Sequence, residues 1–187
     1  MIRIPHTPEM ITRARQKADA LGAINNSIIR GQGNVAGYLG EEAVASYLGA
    51  DIMSNDEGTQ KFNHDLILLD GRRAEVKTKR RTVPPCETNE NPKRIHDASV
   101  ADTSRHQKPD LYIFVSLHFG EVIKKNRKIE GYKDLKAVWL LGQKTLEAYF
   151  KLATFWAKGT VDPTNGFKTH ADMWNLPINK LDPIKKM

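Results

Sequence analysis

The sequence predicts an α/β domain in which a mixed central β-sheet is flanked by helices. Two helical segments near the N-terminus precede four strand-like segments and a further amphipathic segment. One of the strand-like segments, DLYIFVSLHF at 110–119, is an almost unbroken apolar run, which is typical of a central strand covered on both faces. This order of elements favours a sheet with helices packed on its faces.

Three segments are predicted to form helices. The first spans 8–22, with Thr7 as a candidate N-cap. The second runs roughly from 35 to 49, because its apolar residues recur at helical spacing. The third, 143–159, is predicted to be an amphipathic helix that ends at Gly159.

The strand predictions follow from apolar patterning and from turn residues. Asp70-Gly71 marks the turn between the first two strands. The strands are expected at 64–70, 72–80, 110–119 and 135–142, with short edge strands at the start of 51–63 and within 173–181. The stretch 82–109 is predicted to be a long basic loop, and loops of that length are often functional.

The composition is that of a globular chain rather than a disordered one. Hydrophobic residues make up 40% and charged residues 27% of the 187 residues, which favours one domain with a proper core. We expect a single domain over 1–187, with its core at about 35–158, an N-terminal helix at 8–22 and a C-terminal extension at 160–187. No run of about 18 apolar residues is present, so no membrane span is expected.

Cysteine usage and the N-terminal residues bear on location. Cys86 is the single cysteine, which excludes an intramolecular disulfide and a Cys-rich zinc site. The N-terminal stretch lacks the apolar segment of a secretory signal. The sequence therefore predicts a protein of the reducing cytoplasm.

The net charge of +7 is the first indication of a partner. Excess positive charge on a globular protein favours polyanionic partners, of which nucleic acid is the first candidate. The alternative is that these charges only confer solubility.

The segment from Asp65 to Lys77 carries the most informative residues. Glu75 and Lys77 are two apart on a predicted strand and so share one face, while Ala74 and Val76 point into the expected core. A Glu and a Lys within an otherwise buried strand are costly unless they are paired or bind a metal. The competing interpretation is a cross-strand ion pair on a half-exposed sheet.

Phosphodiester cleavage is a chemistry that needs these residue types together. It builds negative charge on the transferred phosphoryl group, which Mg²⁺ neutralises while lowering the pKa of a bound water. Mg²⁺ prefers a few carboxylates and keeps several waters, so Asp65 and Glu75 make a suitable minimal site, and the Val76 carbonyl could add an oxygen. Lys77 would orient the attacking water and stabilise charge on the phosphate.

A carboxylate on the second helix extends this set. On a helical wheel Glu41 lies among core-facing residues such as Val44 and Leu48, whereas Glu42 lies toward the side. We therefore predict that Glu41 approaches Asp65 and that Glu42 is the more exposed of the two. The alternative is that both are solvated acids favoured by the helix dipole.

The pattern resembles the PD-(D/E)XK nuclease superfamily, which has the restriction-endonuclease-like fold. The matching residues are Glu41 on the first core helix, Asp65 on the second core strand and Glu75-Val76-Lys77 on the third. The resemblance spans roughly 35–158, and it departs from the pattern at His64, which stands in place of the motif's proline.

The resemblance implies a function and a catalytic set. Asp65 and Glu75 would be metal ligands for Mg²⁺, with Mn²⁺ as a substitute, and Lys77 would be the catalytic lysine; Glu41 would join the site directly or through water. The chain looks most like a phage- or mobile-element-type endonuclease, which implies the cytoplasm of a bacterium or of a phage-infected host cell. Many relatives act as dimers, so a homodimer is plausible.

Further residues are candidates for contacts with phosphates or for zinc ligands. A group of basic residues lies at the end of the strand that carries Glu75 and Lys77 and in the long loop that follows it. There the group is well placed to contact phosphates. The alternative is that these residues are simply solvated. This group is Lys79, Arg80, Arg81, Arg105 and Lys108. Cys86, His96 and His106 match no standard zinc spacing.

The expected function is therefore Mg²⁺-dependent hydrolysis of DNA by an endonuclease. The alternative is a catalytically inactive nucleic-acid-binding protein of the same fold. The hairpin gives a structural expectation: a two-residue turn at Asp70-Gly71 would point Asp65 away from Glu75. The site needs the other register, with Asp65 opposite Lys77, and so predicts a three-residue loop, a bulge or a bend near Asp65.

Overall fold

The structure is a computed structural model that describes residues 1–21, 34–52, 64–86, 97–125, 128–163, 166 and 168–186. It is an α/β protein. Its helices and strands are, in chain order, β1 (Ile2–Ile4), α1 (Pro8–Leu21), α2 (Asn34–Leu48), β2 (Asp51–Ile52), β3 (Leu66–Ile67), β4 (Arg73–Arg81), β5 (Asp97–Ala101), β6 (Leu111–Lys125), β7 (Lys128–Thr145), α3 (Leu146–Leu152), β8 (Thr154–Trp156) and β9 (Met173–Pro177). A short 3₁₀ turn at Asp102–Ser104 follows β5, and another at Ile178–Lys180 follows β9.

A six-stranded mixed sheet organises the fold, in the order β1-β7-β6-β4-β3-β2. Strand β4 is parallel to β6, and the other described pairs of this sheet are antiparallel. Strand β6 lies between β7 and β4 and is buried continuously from Leu111 to Leu117. The prediction of a central, doubly covered strand at 110–119 is therefore confirmed, although β6 continues beyond it to Lys125.

The two faces of this sheet are covered by different elements. On one face, α1 and α2 pack against the sheet over apolar side chains such as Val76, Ile113 and Val138. On the other face, a second sheet in the order β5-β9-β8 and the short α3 cover Tyr112 and Phe114. The expectation of flanking helices holds for the first face, whereas a small sheet and one short helix cover the second.

The two N-terminal helices agree with the sequence prediction. Helix α1 begins at Pro8, and the Thr7 hydroxyl accepts a hydrogen bond from the Met10 amide at 3.3 Å, as an N-cap does. Helix α2 lies so close to β4 that a Cβ on Gly40 would meet Thr78 Oγ1 at 1.9 Å. This close approach places the start of the Glu41-Glu42 pair directly beside the strand that carries Glu75.

The predicted helix at 143–159 is wrong for most of its length. Helix α3 begins at Leu146, where the Thr145 hydroxyl caps it, and ends at Leu152. The chain then becomes extended and pairs as β8 with β9, so that Phe155 lies 5.4 Å from Trp174, ring centroid to ring centroid. Gly159 has a positive φ of 91° in a turn after β8, and it does not end a helix.

Three other predictions of strand and loop need correction. The first strand of the hairpin is only Leu66–Ile67, not 64–70. The region 82–109 is not one long loop, because it contains β5 and a 3₁₀ turn. Residues 87–96 of this region lie outside the described part. The C-terminal strand β9 is central in its sheet rather than an edge, because it pairs with β5 and β8 on either side.

The hairpin between β3 and β4 decides where Asp65 points. Leu66 pairs with Ala74 and Ile67 with Arg73, and the Leu68 amide donates to the Arg72 carbonyl at 2.9 Å. The loop therefore has three residues, as predicted, with Gly71 at a φ of 82°. The chain also bends at Asp65, and this register brings Asp65 level with Glu75; the expected pairing with Lys77 is wrong by two residues.

Within the described residues, no helix is both long enough and apolar enough to span a membrane.

Candidate active site

Strand β4 sorts its side chains onto the two faces of the sheet. Ala74 and Val76 belong to the core beneath α1 and α2. Glu75 and Lys77 alternate with them and therefore face the side of the second sheet, where Tyr112 and Phe114 lie on the neighbouring strand. The shared face of Glu75 and Lys77, predicted from their spacing, is confirmed.

Asp65 lies at the edge of β4, where β3 stops. In the described part of the chain, no strand continues beside β4 past Ala74 on this side. Instead, the Asp65 carboxylate accepts a hydrogen bond from the Val76 amide at 2.7 Å, while the Asp65 amide donates to the Ala74 carbonyl at 2.9 Å. Since the N–H and C=O of one strand residue point to the same side, the Val76 carbonyl lies on the edge that Asp65 occupies.

Glu75 and Lys77 form a nearly buried ion pair. Lys77 Nζ lies 2.7 Å from Glu75 Oε1 and also donates to Gln107 Oε1 at 3.1 Å. The other carboxylate oxygen, Glu75 Oε2, is buried and has no hydrogen-bond partner among the described residues. A charged oxygen in that position is costly unless something else satisfies it.

Glu41 adds a third carboxylate. Burial, and then the charges of Asp65 and Glu75 among its neighbours, raises the pKa of Glu41 to about 8. Burial and the charge of Glu75 likewise raise the pKa of Asp65 to about 7. Asp65 lies at the sheet edge between Glu75 on one face and α2 on the other, which explains how residues from both faces meet there. Glu41, Asp65 and Glu75 thus lie close enough for their charges to interact.

The prediction that Glu42 is more exposed than Glu41 is wrong. Glu42 is only 6% exposed. It forms ion pairs with two α1 side chains, Arg13 at 2.8 Å and Lys17 at 3.2 Å. Helix α2 is covered by the sheet on one side and by α1 on another, so a single apolar stripe on a helical wheel does not describe its burial. Glu42 joins the two helices.

Three residues at the site were not anticipated. Gln107 contacts Lys77, although it lies in the segment predicted as loop. Both ring nitrogens of His64 are buried without a partner among the described residues, and burial lowers the pKa of His64. The Tyr112 hydroxyl is likewise buried without a partner there, and burial raises its pKa to about 12. Only His64 gave a sequence signal, as the residue in place of the motif's proline.

The basic residues singled out from the sequence take different positions. Lys79 and Arg81 are half-buried; Lys79 donates to the Asp97 carbonyl and to the Ser99 hydroxyl, and Arg81 also donates to the Asp97 carbonyl. Arg80 is half-buried as well, and Arg105 is exposed. Arg80 lies over the Tyr132 ring, Arg105 lies over Phe150 and Trp174, and Lys108 is exposed. Their contact with nucleic acid stays a prediction.

The described residues contain no group of three or more His, Cys, Asp and Glu side chains arranged to hold a metal ion. Among the residues considered for zinc, His96 lies outside the described part, and His106 Nδ1 is 2.8 Å from the Thr103 carbonyl. A site for Mg²⁺ asks for fewer side chains, because that ion keeps several waters and takes one or two carboxylates. Asp65, Glu75 and the Val76 carbonyl meet that smaller requirement.

No protein-family model and no curated protein matches this chain. Function is therefore inferred from the geometry of Asp65, Glu75 and Lys77 and from the chemistry of their groups.

Proposed function

We propose that the protein is a metal-dependent endonuclease that hydrolyses DNA phosphodiester bonds. The observation that carries the proposal is the convergence of Asp65, Glu75 and Lys77 at the open edge of β4, where Glu75 Oε2 is buried and has no hydrogen-bond partner among the described residues. A cross-strand ion pair alone explains the contact between Lys77 and Glu75. It does not explain why Asp65 and Glu41 are brought beside it.

The donor set fits a divalent cation with a preference for oxygen. Asp65 and Glu75 would hold Mg²⁺, the Val76 carbonyl is on the same edge, and Glu41 would join through water. The raised pKa values of Glu41 and Asp65 reflect burial together with uncompensated negative charge, which a cation would relieve. When bound, the ion supplies charge neutralisation on the phosphate and a lowered pKa for the attacking water.

The chain's own residues account for the remaining catalytic tasks. Lys77 Nζ, held by Glu75 and Gln107, would orient the attacking water and stabilise negative charge on the phosphate oxygens. The bond from the Val76 amide fixes the Asp65 carboxylate before substrate arrives. Such preorganisation keeps the groups from having to reorient during the reaction.

The fold is compatible with the resemblance on which the proposal draws. Helix α2 precedes the hairpin of β3 and β4, and the parallel strand β6 and the antiparallel strand β7 follow, which is the order in which the sequence motifs were matched to the PD-(D/E)XK nuclease superfamily. The net charge of +7 favours DNA as the partner.

The test is incubation of the purified protein with supercoiled plasmid under four conditions: Mg²⁺, Mn²⁺, Ca²⁺ and excess EDTA. We expect nicking or linearisation with Mg²⁺ and Mn²⁺, little with Ca²⁺ and none in EDTA. Cutting that is undiminished in EDTA would contradict the metal mechanism. Binding of the plasmid without cutting in any metal would favour the inactive DNA-binding alternative.

A further inference from the structure

A cavity of about 500 Å³ lies between the main sheet and the second sheet, beside Lys77. Its walls include the apolar side chains of Ala98, Phe114, Leu141 and Met173. Its volume falls within the range of about 300–1,000 Å³ that small-molecule sites occupy. Lys77 lines this cavity and also contacts Glu75, so the cavity adjoins the candidate active site.

A half-buried lysine, Lys79, lies at this cavity. Lys79 Nζ donates to the Ser99 hydroxyl and to the Asp97 carbonyl at 3.2 Å, and Ser99 in turn donates to Asn175 Oδ1. Two of the three ammonium donors are thereby used. Among the described residues, no carboxylate lies within ion-pair distance of Lys79, although Asp97 and Asp162 are close enough to favour its charged form. Burial lowers the pKa of Lys79 to about 7.

An amino group that is partly removed from water and contacts no carboxylate costs more free energy at this position than a residue that only packs. An apolar residue of similar length would fill the same space at lower cost. The arrangement is more economical when the third donor meets an acceptor on a ligand. The ligand must also have apolar faces, because most of the cavity wall is apolar.

We propose that this cavity binds one nucleobase of the substrate strand next to the scissile phosphate, with Lys79 donating to an acceptor on the base edge. The proposal rests on the proposed nuclease function. A nucleobase has flat apolar faces for the Phe114, Leu141 and Met173 walls and polar atoms at its rim. Guanine is the expected preference, because its O6 and N7 acceptors form the commonest specific contact with a lysine or arginine.

Free mononucleotides test this binding without any cleavage. The probes are the four deoxynucleoside 5′-monophosphates and deoxyribose 5-phosphate, which has the same sugar phosphate and no base. The readout is the NMR signal of ¹³C-labelled methionine methyl groups in the metal-free protein. Met173 lines the cavity, whereas Met10 is a buried residue of α1 in the core on the opposite face of the sheet and serves as the internal control.

We expect dGMP to shift the Met173 signal at millimolar concentrations while the Met10 signal stays in place. Deoxyribose 5-phosphate should shift neither. Lys79→Met should weaken the response to dGMP about tenfold, and Ala101→Leu, which fills part of the cavity, should abolish it. Lys151→Met, at an exposed site on α3, is the matched control and should bind dGMP as the wild type does.

Equal responses to dGMP and to deoxyribose 5-phosphate would overturn the base assignment and leave a phosphate contact. A Met173 signal unmoved by all five probes would overturn it as well. Either failure is separate from that of the nuclease proposal, because plasmid cutting in Mg²⁺ is measured independently. If Lys79→Met does not fold, Ala101→Leu alone decides the outcome, since it leaves the ammonium in place.

Discussion

Lys77 is the residue whose removal separates chemistry from binding. Its ammonium lies 2.7 Å from Glu75 Oε1, and in the proposed mechanism it contacts the attacking water and the phosphate. Lys77→Ala should lower the cleavage rate about a hundredfold or more, because removing one preorganised donor of this kind has that order of effect. DNA affinity, measured with Ca²⁺ by fluorescence anisotropy, should change little. A wild-type cleavage rate in a folded Lys77→Ala protein would remove the lysine from the mechanism.

The two neighbouring glutamates should respond to amide substitution with opposite signs. The pKa of Glu41 is raised from 4.5 to about 8, so its proton stabilises the metal-free fold at low pH, and that stability is lost as the pH rises toward about 8. Glu41→Gln should therefore raise the melting temperature in EDTA at about pH 8, by about 2–4 °C per kcal/mol, with little change near pH 4. Glu42→Gln should lower it by weakening the ion pairs with Arg13 and Lys17.

Thermal unfolding in EDTA across that pH range measures both effects, and the activity assay separates them further. Glu41→Gln should also lose much of its activity in Mg²⁺, whereas the Glu42 variant should keep most of it once folded. A Glu41→Gln protein that melts below the wild type at high pH in EDTA would contradict the inferred repulsion among the carboxylates.

At the scale of elements, the contact between α2 and β4 holds the helix carboxylate near the strand carboxylates. A Cβ on Gly40 would meet Thr78 Oγ1 at 1.9 Å and two further Thr78 atoms at 3.1 and 3.2 Å. Because threonine is stiff at χ1, Gly40→Ala should push the helix away from β4, lowering both stability and activity. A Cβ on Gly37 would meet no atom within 4 Å.

Gly37→Ala is therefore the matched control, and it should stabilise the protein by roughly 0.5–1 kcal/mol through helix propensity. Urea denaturation of the two variants gives the comparison. Equal stability of Gly40→Ala and Gly37→Ala would show that the close approach of α2 to β4 does not matter.

The helices and strands differ in how well the local sequence predicts them. The α1 segment has Thr7 as its N-cap and Pro8 in its first turn, the α2 segment has apolar residues at helical spacing, and β6 is a continuous apolar run, so local pattern was sufficient there. The segment after Leu152 has apolar residues at a spacing compatible with a helix, but Thr154, Phe155 and Trp156 favour a strand and find a partner in β9. That partner lies far along the chain, so local pattern could not supply it.

The site shows the same division. The shared face of Glu75 and Lys77 followed from the two-residue period of a strand. The side on which Asp65 lies followed from the odd number of residues in the hairpin loop. The burial of Glu42 depends on how α1 packs across α2, and the contact between Gln107 and Lys77 depends on the path of a connecting segment. Neither is encoded in a local period.

At the scale of the whole molecule, the net charge of +7 predicts that DNA binding depends strongly on salt. Log affinity should fall linearly with log salt concentration, with a slope of roughly −0.9 for each phosphate neutralised on duplex DNA. Fluorescence anisotropy with a labelled duplex in Ca²⁺ measures this slope. Affinity that stays flat from low to physiological salt would contradict an electrostatic contact with DNA.

In the proposed function, the carboxylates at the edge of β4 cleave DNA with a bound metal ion. Plasmid cleavage in Mg²⁺ by the wild type, Asp65→Asn and Asp70→Asn tests this role. Asp70 lies in the same hairpin but is exposed and pairs with Arg72, so it makes the matched control. We predict that Asp70→Asn cuts like the wild type and that Asp65→Asn, folded to the same extent, does not cut. Equal cutting by Asp65→Asn and the wild type would contradict the account.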